Sequence, residues 1–185
     1  MTEARGSLRL GFLASHGGTN LQAIMDACKD GRLASIPCVV ISNNSSSGAL
    51  KRATRESIPT YHLSQRTHPL TSDLDQAICD VLHEHQVNLV VLAGYMRKLG
   101  SLVLRRYAGR VLNIHPAVLP KFGGKGMYGH AIHKAVLAAG ETSTGVTVHV
   151  VDEQYDHGPI VAQSTVPILP DDDVEQLSAR VLEQE

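Results

Sequence analysis

Tryptophan is absent from this chain, and phenylalanine occurs only twice. With aromatic side chains at 4% of residues, the core must be built from aliphatic groups. Cysteine is scarce as well. Cys28, Cys38 and Cys79 are odd in number and sit inside apolar patterns. They read as small buried hydrophobes in a reducing compartment, which excludes a disulfide scaffold and implies a cytoplasmic protein. No apolar run approaches the ~20 residues that cross a bilayer. Met1 to Arg5 lack the apolar region of a signal peptide. Neither sign of charge dominates: 17 Lys and Arg face 18 Asp and Glu, a formal net charge of -1. That gives no basic footprint for nucleic acid and no like-charge tail. Internal repeats and low-complexity segments are missing too. What is present is a chain of 185 residues, 43% hydrophobic and 19% charged. One globular domain over 1–185 is the simplest expectation.

Hydrophobic periodicity orders that domain. Leu8 to Ala14 is a short apolar run that ends in Ser15-His16-Gly17-Gly18-Thr19-Asn20, the pattern of a buried strand feeding a glycine turn. Leu21, Ile24, Met25 and Cys28 then recur with helical spacing, predicting a helix from Thr19 or Asn20 to near Gly31. Pro37 to Ile41 and Thr60 to Leu63 read as strands, with a short helix over Ala49 to Ser57 between them. Leu74, Ile78, Val81 and Leu82 mark a helix capped by Ser72 or Asp73. Asn88 to Ala93 is the most apolar strand. Leu99 to Tyr107 reads as a helix, and Val111 to Ile114 as the next strand. This alternation predicts an α/β fold, doubly wound, with a mostly parallel sheet and helices on both faces. Ligands in such sheets sit at the carboxyl ends of strands, so the loops at 15–20, 94–98 and 113–116 are expected to share a cleft. Ile132, Ala135, Val136 and Ala139 mark another helix. Thr144 to Val151 and Ile160 to Ile168 read as an antiparallel strand pair, and a last helix starts at Asp173.

The chemistry concentrates at Leu112-Asn113-Ile114-His115-Pro116. Two prolines, Pro116 and Pro120, keep the following segment out of a helix. In an extended segment Asn113 and His115 point to one face. An amide donor beside an imidazole suits a reaction in which a carbonyl oxygen gains charge and protons move. The same residues also fit an Asn that starts a turn and a His bonded in a core. Gly17-Gly18-Thr19-Asn20 at a helix start suits an anion, although a simple capped turn fits equally. The dinucleotide pattern G-x-G-x-x-G is not met, so a monophosphate suits the turn better than NAD. Asp156 lies in the polar loop 152–158. A carboxylate beside an imidazole favours the charged ring, but spacing alone does not bring Asp156 to His115. His83 and His85 face different ways on their helix. His130 and His133 share a face without further ligands, so no metal is expected. No nucleophile elbow is present.

Taken together, these stretches resemble the phosphoribosylglycinamide formyltransferase family, folate-dependent enzymes of purine biosynthesis. The resemblance runs nearly end to end. It is carried by Ser15 to Ile24, Val91-Leu92-Ala93-Gly94-Tyr95-Met96-Arg97, Gly109 to Pro120, and Asp156-His157-Gly158-Pro159-Ile160. It implies transfer of the formyl group of 10-formyltetrahydrofolate to the amine of glycinamide ribonucleotide, by direct attack through a tetrahedral intermediate. Asn113 would donate to the formyl oxygen. His115 would stabilise the oxyanion and shuttle a proton, with Asp156 orienting it. Gly18, Thr19 and Asn20 would hold the substrate phosphate. Met96, Arg97, Lys98 and Leu99 would line the folate pocket, and Glu185 would contact the ribonucleotide. The partners implied are these two small molecules, with no nucleic acid and no membrane, and the chain as monomer or homodimer.

Three positions depart from the family pattern. The folate-side arginine falls at Thr71, with Arg66 nearby. The loop Phe122 to Tyr128 is long and rich in glycine. The chain stops at Glu185 where the family continues, so a domain truncated at its C-terminal end is expected. The runner-up on the same scaffold is a formyltetrahydrofolate hydrolase, which usually carries a regulatory domain before the catalytic part. A transferase acting on initiator transfer RNA would need a further basic domain. From another class, a catalytically silent nucleotide-binding module is the alternative, against which Asn113, His115 and Asp156 together argue.

Overall fold

A strand with both faces dry needs an unbroken apolar run, and β1 (Leu8–Ala14) is buried from Leu10 onward. The computed structural model describes residues 7–185, so the expectation about Met1 to Arg5 lies outside the described residues. Strands β2 (Ser35–Ser42), β3 (Thr60–His62) and β4 (Leu89–Leu92) join β1 in parallel: β1 pairs with β2 and β4, and β2 pairs with β3. Helices α1 (Thr19–Lys29), α2 (Gly48–Arg55), α3 (Thr71–Glu84) and α4 (Ser101–Arg106) alternate with them. Leu21 and Met25 of α1 and Ala49 and Ala53 of α2 meet Leu10, Phe12, Ala14, Val40 and Ala93 in one cluster. Each large side chain buried in this way stabilises the fold by roughly 1.5–3 kcal/mol.

These elements form one compact unit that runs to Val111; a second runs from Leu112 to Glu185. In the second, β5 (Val111–His115) pairs antiparallel with β6 (Ser143–Val150), which pairs antiparallel with β7 (Ile160–Pro167). Helices α5 (His130–Ala138) and α6 (Val174–Gln184) contribute Ile132, Val136, Leu177 and Val181 to a core shared with Ala117, Val146 and Val166. Asp173 starts α6 with a capping box: its carboxylate accepts from Gln176 N at 2.8 Å, and Gln176 Oε1 accepts from Asp173 N at 2.9 Å. The strand order is β3-β2-β1-β4-β5-β6-β7. Parallel strands come first and antiparallel strands last, as the periodicity predicted.

Two helix starts differ from expectation. Helix α3 begins one residue before the expected cap, with Leu70 at its N-cap and no side chain capping it. The Ser72 hydroxyl donates to the Asp73 carboxylate instead, at 3.1 Å. Helix α4 begins at Ser101 rather than Leu99. The cause is remote in sequence. The buried Asp75 carboxylate of α3 accepts from Leu102 N at 2.8 Å and Val103 N at 3.2 Å, which sets the first turn there. Gly100 lies so close to that carboxyl that a Cβ would stand 2.0 Å from it.

Candidate active site

Strand β5 carries Asn113 and His115, and β6 lies across from it with His149 opposite Asn113 and Thr147 opposite His115. Side chains at directly paired positions of an antiparallel pair are neighbours on one face. Asn113 Nδ2 is 3.1 Å from His149 Nε2. The Asp156 carboxylate stands between two rings: Oδ1 is 3.5 Å from His115 Nδ1 and 3.6 Å from His149 Nε2. His115 is 4% exposed and His149 is 2% exposed, so water screens these groups poorly. Burial pushes the Asp156 carboxyl up. The His149 ring, the Gly124 N–H donating to Oδ2 at 2.9 Å, and the His115 ring outweigh it and hold the carboxyl below its ordinary value. Asp156 is the ionised member of the group.

The His115 ring is held at both nitrogens. Nδ1 faces the carboxylate, and Nε2 lies 2.9 Å from the Phe122 carbonyl oxygen. A carbonyl only accepts, so Nε2 carries a hydrogen and the ring presents a donor on that side. Thr147 fixes the chain just beyond His115. Its hydroxyl donates to Ala117 O at 2.6 Å and accepts from Leu119 N at 3.1 Å, while Gln163 Nε2 donates to it at 2.9 Å. Among the described residues four non-glycines have positive φ, and in the second unit these are Phe122 (57°) and Asp156 (53°). Such conformations cost of order 1–3 kcal/mol and persist where surroundings over-determine them. Here one supplies the carbonyl on His115 and the other the carboxylate. Beside them lies a cavity of about 290 Å³, lined by Leu119, Gly123, Tyr155, Asp156, Gly158 and Ile160 among others.

The remaining expected residues lie as follows. In the first unit, Gly18 is the N-cap of α1 with φ 74°, and having no side chain it supplies no cap of its own. The turn is pressed against α2. A Cβ on Gly18 would stand 2.8 Å from the Ala49 backbone, and Arg52 Nε donates to Gly17 O at 2.9 Å. Thr19 and Asn20 open the helix. Met96, Arg97 and Lys98 are exposed in the loop after β4, whereas Leu99 is buried. That loop is tied to the turn after β1 by Met96 N donating to Ser15 Oγ at 2.8 Å. In it, burial pushes the Tyr95 hydroxyl up to about 12, against the opposing charge of Arg97. Thr71 is the first residue of α3, and Arg66 is exposed in the preceding turn. In the second unit, Glu185 caps the end of α6, its N–H donating to Val181 O. Among the described residues no group of three or more His, Cys, Asp or Glu is placed to hold a metal ion.

Sequence reasoning missed His149. Alternation along β6 placed it on the face opposite the valines, but only the strand register shows that this face meets Asn113.

A donor amide and a ring N–H on one strand, with a half-buried carboxylate brought to them by a loop, are suited to acyl-type transfer. Residues 8–185 match the formyl transferase family, and the chain belongs to it. Among its relatives, the phosphoribosylglycinamide formyltransferase of Haemophilus influenzae is 42% identical over 177 residues, which is 96% of this chain and 81% of that protein. The crystal structure of glycinamide ribonucleotide transformylase 1 from Symbiobacterium toebii matches with a TM-score of 0.90 at 39% identity, covering 96% of this chain and 81% of that one. A formyltetrahydrofolate deformylase from Pseudomonas syringae matches with a TM-score of 0.87 at 27% identity, covering 100% of this chain and 59% of that one.

Proposed function

We propose that this chain transfers the formyl group of 10-formyltetrahydrofolate to the amine of glycinamide ribonucleotide, a step of de novo purine biosynthesis. The observation that carries the mechanism is the linked set Asn113, His149, Asp156 and His115, drawn from β5, β6 and one loop. The substrate amine attacks the formyl carbon. The carbonyl π electrons move to oxygen, and a tetrahedral intermediate forms with no covalent link to the protein. Asn113 Nδ2–H and the His115 Nε2–H donate to that oxygen. In the structure the Phe122 carbonyl oxygen receives that Nε2–H, so the formyl oxygen has to share or displace this contact. The amine nitrogen, cationic after attack, loses a proton and the folate nitrogen gains one by way of His115. The bond from the formyl carbon to that nitrogen then breaks with its electron pair going to nitrogen, and the oxyanion pair re-forms the carbonyl. The ionised Asp156 orients the ring and balances its charge.

In the same reading, Gly18, Thr19 and Asn20 take the ribonucleotide phosphate, because a helix start preceded by a glycine turn offers N–H donors and positive potential. Met96, Arg97, Lys98 and Leu99 contact the folate, and Glu185 the ribonucleotide. No metal is needed, because the charge develops on an oxygen that two N–H donors reach. We also infer a monomer or homodimer without nucleic-acid or membrane partners, acting as one domain over 1–185. A cytoplasmic seat accords with three free cysteines. No helix of the described residues is long and apolar enough to cross a membrane.

The test is spectroscopic. Protein is mixed with glycinamide ribonucleotide and a 10-formylated folate analogue, and the deformylated folate is followed by absorbance. Release that depends on the ribonucleotide is expected, and His115→Ala should lower turnover at least ~10²-fold. Release without the ribonucleotide would instead favour hydrolysis, the second reading raised by the deformylase relative. No release at all would leave a silent binding module.

A further inference from the structure

We propose that His149 is a positioning residue that decides which end of the Asn113 amide faces the reacting oxygen; this rests on the formyl-transfer reading above. His149 is 2% exposed, and each ring nitrogen has a defined neighbour. Nδ1 lies 3.1 Å from Val150 O. A carbonyl cannot donate, so Nδ1 carries the hydrogen and, in the neutral ring, Nε2 is a bare acceptor. The group 3.1 Å from that acceptor is Asn113 Nδ2. An amide nitrogen has two N–H bonds. One is spent on His149, and the other stays on the same nitrogen.

The consequence is chemical. Asn113 is left presenting an N–H rather than its carbonyl oxygen. An amide is nearly symmetric in shape, so packing alone does not choose between the two orientations. Turned over, Asn113 would aim Oδ1 at the developing oxyanion and repel it. The Nε2 lone pair supplies the choice, because it attracts N–H and repels C=O. The Val150 carbonyl in turn supplies the tautomer. Asp156 Oδ1 is 3.6 Å from the same Nε2, outside hydrogen-bond reach, so the Val150 carbonyl rather than the carboxylate sets the tautomer. The catalytic contact is made by Asn113, and His149 acts through it.

Two variants of the full chain separate this from a merely structural role. His149→Gln can place Oε1 where Nε2 stood and accept from Asn113, whereas His149→Leu cannot. Losing one oxyanion donor costs about 10²- to 10³-fold in such sites, and His149→Leu frees the amide to turn without removing it, so it should lower kcat by about 10- to 100-fold. KM for both substrates should stay within about threefold, because the contact is made in the transition state. His149→Gln should recover most of the loss. On an Asn113→Ala background, His149→Leu should cost no more than about threefold further, the signature of two residues acting as one. An undiminished further loss on that background, a loss carried by KM, or a Gln variant no better than Leu would overturn the proposal. If the Leu variant does not fold, the tautomer of the wild-type ring carries the test. A long-range proton–nitrogen spectrum of the wild-type chain reads the His149 tautomer without any substrate. Nδ1–H is expected, and Nε2–H would overturn the proposal even if formyl transfer is observed. A chain with the Nδ1–H tautomer that transfers no formyl group would sink the functional reading alone.

Discussion

Replacing Gly158 by alanine tests whether the loop that bears Asp156 is held by backbone contact rather than by sequence habit. A Cβ built on Gly158 would stand 1.9 Å from Val150 O and 2.9 Å from Val150 C. Ordinary carbon–oxygen contact begins near ~3.3 Å, so loop and strand must separate by more than ~1 Å. The obstacle is main chain of β6, which cannot rotate aside as a side chain can. Two further bonds converge there: Val150 N donates to Pro159 O at 2.8 Å, and Val150 O accepts from His149 Nδ1 at 3.1 Å. Overpacking of this kind typically costs about 1–3 kcal/mol. For a chain of this length that corresponds to a fall in Tm of roughly 2–12 °C. The activity effect should be larger. Asp156 is two residues from the clash, and a 1 Å misplacement of a positioned group can cost ~10²-fold in rate. Thermal melting and steady-state formyl transfer would be measured on the same preparation. A Gly158→Ala variant with unchanged melting and kcat within about twofold would refute the reasoning. It would mean that the loop can pull away from β6 without moving its carboxylate.

Two smaller perturbations probe the fold around the sites. Asp75→Ala removes the acceptor for Leu102 N and Val103 N and should destabilise by about 1–3 kcal/mol, the range for a lost cap that leaves buried donors. Urea unfolding measures it, and a midpoint equal to wild type would show that α4 starts at Ser101 for another reason. Asp172 is the second case. Its pairing with Arg180, followed by the Leu169 N–H, holds its carboxyl down at about 2. A depressed carboxylate stabilises the fold above its unfolded value of ~3.9, and that contribution fades as pH falls toward about 2. Asp172→Asn should therefore flatten the stability profile across that window and leave its shape unchanged near neutrality. Parallel loss in the two proteins over the window would remove the pair from the account.

Most of the fold could be read from the chain because its inner strands β1 and β2 are buried on both faces over most of their length. An unbroken apolar run such as Leu10 to Ala14 has no alternative use in a chain so poor in aromatics. Helix interiors were legible through spacing, as at Leu21 and Met25. Helix starts were less so. The start of α4 is set by Asp75, a residue on the preceding helix, and no local rule reaches that far. Leu70 at the α3 start shows the converse: Ser72 and Asp73 are good caps by composition, yet they bond to each other and the helix begins without either.

The candidate site divides along the same line. Asn113 and His115 share a face because strand geometry has a period of two, a local fact. Whether a third and fourth group join them depends on register, which is not local. Shifting β6 by one residue against β5 would bring Val148 or Val150 opposite Asn113 and turn His149 to the other face. The valines that alternate with Thr147 and His149 resist that slip, because Val146 belongs to the apolar cluster with Ile132, Val136 and Leu177. The hydrophobic packing of the second unit therefore does more than stabilise it. By pinning the register, it fixes which imidazole faces Asn113 and which faces the Phe122 carbonyl, with one carboxylate oxygen between them.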